Sequence, residues 1–294
     1  MTFRVSEQSM SARVLTGLQR NQTRLEQLRE QMASGKQISK PSDWPTGAAQ
    51  ALRLRGDLSA KDRYMRSATD GVSRLETAEG ALNTASSMLN RARDLVLQGM
   101  SSPALENPIA REAIAGELAG LRDGLLSVAN TTFLGRPVFG GTTAGSTAFD
   151  TTGSYVGDSG EVLRRIADNV QVRVDVPASA FGTGANQLFG VLDSIVANLR
   201  GNPSAVGSDL DRLDLGIESV NSALTAVGTR YSQLTAASDA AGAQSVRLGS
   251  ELSELEDIDL VKSIIDLQSQ SVGYEAALGA TAKVTTPSLL DFLR

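Results

Sequence analysis

Cysteine and histidine are both absent from this 294-residue chain. Without them there is no disulfide scaffold, no thiolate nucleophile, no Cys/His zinc site, no histidine-ligated haem and no Ser-His-Asp machinery. Catalysis would have to rest on a Ser-Lys pair, on carboxylates or on a bound cofactor. Aromatic residues are also scarce, with seven Phe, four Tyr and one Trp. Alanine and leucine number 36 each. Packing must therefore rely on small and γ-branched side chains, which suits long helices lying close together better than a single bulky core. No stretch approaches 18 uninterrupted apolar residues, and Met1 to Met10 lacks the apolar run of a cleaved secretory signal. The sequence predicts a soluble protein whose export, if any, uses another route.

What is present is charge and periodicity. The net charge is -5, unevenly placed: residues 1–99 hold 15 basic and 10 acidic side chains, residues 200–294 hold 7 and 13. The two ends should attract. Arg53, Arg55, Arg63 and Arg66 are scattered and not interleaved with aromatics, which argues against a nucleic-acid patch.

Apolar residues from Leu210 recur in alternating steps of three and four through Leu213, Ile217, Val220, Leu224, Val227, Tyr231 and Leu234. The register continues through small residues to Leu248, Leu252 and Leu255. That is one heptad helix of about 70 Å, with Ser208 and Asp211 as a capping-box-like start. Shorter stripes are Val14, Leu18, Asn21, Leu25, Leu28, Met32; then Leu75 to Val96, a Leu/Ala ladder that extends back to about Thr46; then Ile114 to Val128, opened by Asn107 as N-cap and Pro108 as first helical residue. A fourth runs from Leu188 to Leu199, and a last one from Leu260 through Ile264, Leu267, Ser271, Tyr274 and Leu278, capped by Asp257 or Asp259. Pro287 then interrupts before an apolar tail at Leu289 to Leu293. Between Phe133 and Gly184, glycines punctuate short β-type runs. Val170 to Val176 alternates so that four valines share one face.

The fold class expected is mainly α: a long helical coiled coil or bundle formed by N- and C-terminal segments, with a small inserted β domain. Three domains are expected. Residues 1–40 with 260–294 form an inner terminal-helix domain, 41–132 with 186–259 a middle bundle, and 133–185 an outer β-rich insert. The terminal stripes are natural mutual partners. Each is too narrow to offset the ordering entropy of its own backbone, so the termini are expected to become rigid on assembly. A shared axis permits head-to-tail contacts, the geometry of rings and filaments.

Three separated segments carry a resemblance. Gln31 to Ala48 reads QMASGKQISKPSDWPTGA, Ala129 to Gly141 reads ANTTFLGRPVFGG, and the end reads YEAALGATAKVTTPSLLDFLR. Together these resemble the flagellin superfamily, and within it the hook-associated proteins of type 3. The match covers both helical ends and the start of the insert. The resemblance implies a non-enzymatic structural component of the bacterial flagellum, polymerising as the junction between hook and filament, secreted without a cleavable signal. It implies as partners a homo-oligomeric ring of the chain itself, a neighbouring hook-associated protein, flagellin and an export chaperone on the C-terminal helix. It places Gly35, Pro41, Ser42, Asp43 and Pro45 in the linker between inner and middle domains. Trp44 departs from the polar residue common there. A short flagellin building the filament itself is the nearest alternative, and a surface adhesin with an inserted binding domain is a further one.

The assembly surface expected from the stripes comprises Val14, Leu18, Leu25, Leu28, Met32, Leu260, Ile264, Leu267, Tyr274, Leu278, Leu289 and Phe292. No cofactor, metal, nucleic acid or membrane insertion is expected. Glu251, Glu254, Glu256, Asp257 and Asp259 lack the glycine and ligand spacing of a calcium loop and read as a solvated helix end. Asn21 and Asn130 each begin a glycosylation tripeptide, but Asn21 falls on a heptad seam and reads as a register-setting polar position.

Overall fold

A computed structural model of the chain describes residues 2–101 and 106–285. Six α-helices are described: α1 (Thr2–Ser34), α2 (Pro45–Gly99), α3 (Pro108–Ala129), α4 (Leu188–Gly201), α5 (Val206–Glu256) and α6 (Leu260–Thr285). Four short strands make two antiparallel hairpins, β1 (Thr132–Phe133) with β2 (Arg136–Pro137), and β3 (Leu163–Ala167) with β4 (Val170–Arg173). The mainly α class with a small β insert is what the periodicity predicts. No helix among the described residues is long and apolar enough to cross a membrane. The chain divides into two compact units, one of Met1–Ser59 with Ser245–Arg294 and the other of Ala60–Gln244.

The unit of residues 60–244 owns the dry core. On α5 the buried positions Val206, Leu213, Val220, Val227 and Leu234 recur every seventh residue. Leu210, Ile217, Leu224 and Tyr231 pack part-buried beside them, so the heptad reading of this helix holds. Facing positions on α2 alternate Leu75, Ala78, Leu82, Ala85, Leu89 and Ala92, all buried; the alanines let neighbouring helices approach closely. Gly56 and Gly71 are absorbed within α2, which runs unbroken. Leu118 and Leu125 of α3 and Ile195 and Leu199 of α4 close the core. Asn107 caps α3 as expected, its Oδ1 accepting from the N–H groups of Ile109 at 3.0 Å and Ala110 at 3.3 Å.

Two local expectations are corrected. Val172, Val174 and Val176 of the alternating segment are buried, as is Asp175 between them; Val170 is exposed, because it opens β4 directly after the Asp168–Asn169 turn. The start of α5 is not a capping box. The Ser208 hydroxyl donates back to the Ala205 carbonyl, and Asp209 is buried, accepting from Asn198 Nδ2 at 2.6 Å and pairing with Arg212 at 3.1 Å.

The insert is fastened to the helices by polar ties. Arg164 pairs with Asp70 at 2.6 Å, Tyr64 donates to Asp168 at 2.7 Å, and Arg230 donates to the Asp175 carbonyl at 2.9 Å. Buried Arg74 donates to the Pro137 carbonyl at 3.3 Å, and burial pulls its guanidinium below its ordinary pKa. Phe139, Phe149 and Phe181 of the insert pack with Phe189 of α4, with ring centroids 5.0–6.0 Å apart. Asn130, whose tripeptide suggests a glycosylation acceptor, spends its amide on the Phe149 carbonyl and on the N–H groups of Ala148 and Phe149.

Candidate assembly site

The second unit is built from α1, the segment 35–44, the start of α2, the end of α5 and α6. Helices α1 and α6 pair. On α1 the stripe facing α6 is the predicted one: Leu25 and Leu28 are buried, and Val14, Leu18, Asn21 and Met32 are half-buried. Helix α6 answers with a different set. Ser263, Leu267, Gln270, Ser271, Tyr274, Ala277 and Thr281 are the half-covered positions, whereas Leu260, Ile264 and Leu278 are exposed. The predicted α6 stripe thus splits, with Leu267, Ser271 and Tyr274 half-covered and Leu260, Ile264 and Leu278 exposed. Leu289 and Phe292 lie outside the described residues.

The seam is therefore thin and partly polar. Gln270 Nε2 donates to Asn21 Oδ1 at 3.3 Å, so the polar seam position read from the sequence has its partner on α6. Beside Leu260, Ile264 and Leu278 stand Val261, Ile265 and Val272, 69%, 60% and 65% exposed. Positions 261, 265 and 272 share one helix face. The larger apolar surface of α6 consequently points away from α1.

A clasp closes the base of the pair. Gly35 ends α1 with φ +70°, a left-handed turn that glycine adopts without a Cβ penalty. The chain then runs antiparallel to residues 256–258. Gln37 N–H donates to the Glu256 carbonyl at 2.5 Å, and Ile258 N–H donates to the Gly35 carbonyl at 3.2 Å. Lys36 Nζ lies 2.5 Å from Asp257 Oδ1 and 3.6 Å from Glu256 Oε2, and Arg55 Nη2 lies 2.8 Å from Glu256 Oε2. Glu256 is only 2% exposed, so it is a buried carboxylate held between two cations, not part of a solvated helix end. Its burial is tolerable because both charges are compensated. The hydrogen bond from Lys36 holds the Asp257 carboxyl below its usual range, helped by Ser253; that same bond raises the Lys36 ammonium. Of the two acids expected to cap α6, Asp259 does so, accepting from Lys262 N–H at 3.1 Å.

The linker folds around Asp43. Its Oδ2 accepts from Lys40 N–H at 2.8 Å, Ser39 Oγ at 3.0 Å and Ser39 N–H at 3.2 Å. These bonds, that from Lys40 first, lower its pKa. Pro41 and Ser42 are exposed in the same turn, and Pro45 is the first residue of α2. The Trp44 ring lies against Gly47, where a Cβ would run into it. Of the predicted linker residues, Gly35 belongs to the clasp and the others to this turn. Lys36, Arg55 and Glu256 are the site residues missed by the stripe argument. The separations of 201 residues between Arg55 and Glu256 and 221 between Lys36 and Asp257 carry no local signal. The nearby hollow lined by Arg24, Lys40, Lys262, Asp43, Asp259 and Asp266 carries both charge signs and selects no ion. No cluster able to hold a metal occurs among the described residues.

Residues 5–144 match the family model described as the bacterial flagellin N-terminal helical region. The chain is 26% identical over 312 aligned residues to "Flagellar hook-associated protein 3" of Salmonella typhimurium, covering 97% of this chain and 96% of that one. It is 24% identical over 306 residues to "Flagellin" of Bacillus subtilis, covering 99% and 100%. A solved flagellar hook-associated protein from Vibrio parahaemolyticus has the same fold, with a TM-score of 0.66 at 22% identity over 73% of this chain and 100% of that one. Long heptad helices from both ends of the sequence, an inserted β region after α3 and a matching N-terminal helical region agree with the fold of that hook-associated protein and with the family model of the bacterial flagellin N-terminal helical region.

Proposed function

We propose that this chain is a non-enzymatic structural subunit of the bacterial flagellum, polymerising as the junction between hook and filament. The observation that carries this reading is the mismatch between α1 and α6: a thin, partly polar seam inside the chain, and a broad apolar face on α6 turned outward. A contiguous exposed apolar face marks an interaction surface, and burying it in water-free contacts is worth roughly 25 cal/mol per Å². Leu260, Ile264 and Leu278 with Val261, Ile265 and Val272 then meet neighbouring subunits, while Val14, Leu18, Leu25, Leu28, Met32, Leu267 and Tyr274 hold the pair together. Gly35, Pro41, Ser42, Asp43 and Pro45 form the linker that turns the chain from an inner domain (1–40 with 260–294) into a middle bundle (41–132 with 186–259) that carries an outer insert (133–185).

Partners follow from the same surface: copies of the chain in a ring, a neighbouring hook-associated protein, flagellin, and an export chaperone that shields the apolar face of α6 before assembly. Export through the flagellar route without a cleavable signal fits a chain free of cysteine. The relatives matched across nearly their whole length include two hook-associated proteins 3, at 26% and 24% identity, and a flagellin at 24%; the junction reading is supported by the former two and by solved hook-associated proteins of the same fold.

Deleting the chain from its bacterium should leave hooks without attached filaments and flagellin shed into the medium, with filaments restored by the wild-type chain. Filaments of normal length on the deletion strain would refute the junction role. Long filaments grown from the purified chain alone would turn the assignment to flagellin. Loss of host attachment with intact motility, on removing residues 133–184, would instead support an adhesin.

A further inference from the structure

We infer that the tip of the β1–β2 hairpin is an apolar knob that seats in a groove of the next copy of the chain; the inference rests on the junction reading. The register pairs Thr132 with Pro137 and Phe133 with Arg136, leaving Leu134–Gly135 as a two-residue turn. Both residues are left-handed, at φ 49° and 77°, as in a type I′ turn. Asparagine or aspartate is the residue such a turn prefers at the first position; a left-handed leucine is strained by its Cβ. In the other hairpin of the same unit the left-handed turn position is taken by an asparagine, Asn169 at φ 59°, a residue that tolerates that region.

Leu134 is nevertheless 83% exposed, so packing within its own chain does not offset either the strain or the wet apolar side chain. Single exposed leucines are ordinary; one held in an unfavourable backbone region is not, and observed strain of this kind is a pointer to function. The hairpin is also held firmly, with Pro137 and Val138 buried, Val138 N–H donating to the Thr131 carbonyl at 2.9 Å, and Arg74 bonded to the Pro137 carbonyl. It presents a rigid tip.

The same unit carries a receptor of matching chemistry. Between α5 and two 3₁₀ turns, Ala178–Phe181 and Gly184–Asn186, lies a groove with an apolar strip of Pro177, Ala180, Leu215, Ala223 and Ala226 bordered by serine, threonine and asparagine, with Glu218 exposed on its wall. Arg136, exposed two residues from Leu134, supplies the opposite charge. The groove's cation, Arg230, is tied to the Asp175 carbonyl. Leu134 does not fill this groove in its own chain, since it is exposed. A knob and a hole on different surfaces of one subunit make a heterologous contact, the kind that propagates round a ring.

Because the chain has no cysteine, a Leu134→Cys, Leu215→Cys double variant tests the contact directly. Expressed in place of the wild type, it should assemble junctions that yield a ladder of covalent multimers on mild oxidation of isolated flagella, whereas either single variant yields at most dimers. Junctions that contain the double variant without a ladder would overturn the contact and leave the junction reading standing; absence of the wild-type chain from isolated flagella would overturn both. Leu134→Asn separates strain from assembly. It should raise the thermal midpoint of the purified chain and lower filament retention severalfold. A variant that melts higher and retains filaments like the wild type would refute the role of Leu134.

Discussion

Helices α5 and α6 are read from the same arithmetic of threes and fours, yet they end in opposite environments. In the unit of residues 60–244, every seventh position of α5 is buried against leucine and alanine of α2 and phenylalanines of the insert and α4. In the terminal pair, α6 meets α1 through serine, glutamine, tyrosine and alanine with one leucine, and keeps most of its large apolar side chains outside. Periodicity alone thus says that a helix has an apolar stripe, not that the stripe is satisfied inside the chain. A satisfied stripe builds a stable domain; an unsatisfied one is available to neighbours. The clasp of Lys36, Arg55, Glu256 and Asp257 keeps the unsatisfied helices in register at their base without filling their seam.

The sharpest way to break this contrast is to treat both stripes alike. Leu118→Ala, at a fully buried position, should cost about 2–5 kcal/mol of stability, visible as a large drop in the thermal midpoint of the purified chain. Leu25→Asp or Leu267→Asp should abolish incorporation into flagella, because an unpaired charge in the α1–α6 seam parts the two helices that present the assembly face. The melting of the central unit should be unchanged, since α1 and α6 contribute none of its buried cluster. Global loss of helicity in Leu25→Asp would place that residue in the stabilising core instead. The smallest effect is pH dependence at the clasp. Asp257 titrates below its ordinary value in the folded chain, so its contribution is complete above about pH 3.9. That contribution is lost as pH falls through the depressed folded value. Acid titration followed by circular dichroism should therefore show the terminal helices loosening before the core, and Asp257→Asn should flatten that early phase.

Much of this architecture was legible because helix periodicity and caps are local. The α5 heptad, the Asn107–Pro108 start of α3, the stop of α4 at Gly201 and the α1 seam are all encoded within a few turns. What was not legible depends on partners far apart in sequence. Glu256 looks like one acid in a solvated cluster until Lys36 and Arg55 arrive from the other end of the chain. The α6 stripe splits because α1 offers a narrow surface with Asn21 in it, and no pattern within α6 reveals that. The exposure of Val170 follows from a turn whose place was not fixed by alternation.

Hydrogen exchange of the lone chain in dilute solution, compared with the same chain in isolated flagella, tests the central claim most directly. In the lone chain, the amides of α1 and α6 should exchange far faster than those of α5 between Leu213 and Leu234, and should gain protection on assembly. Equal protection of α1, α6 and α5 in the lone chain would contradict it.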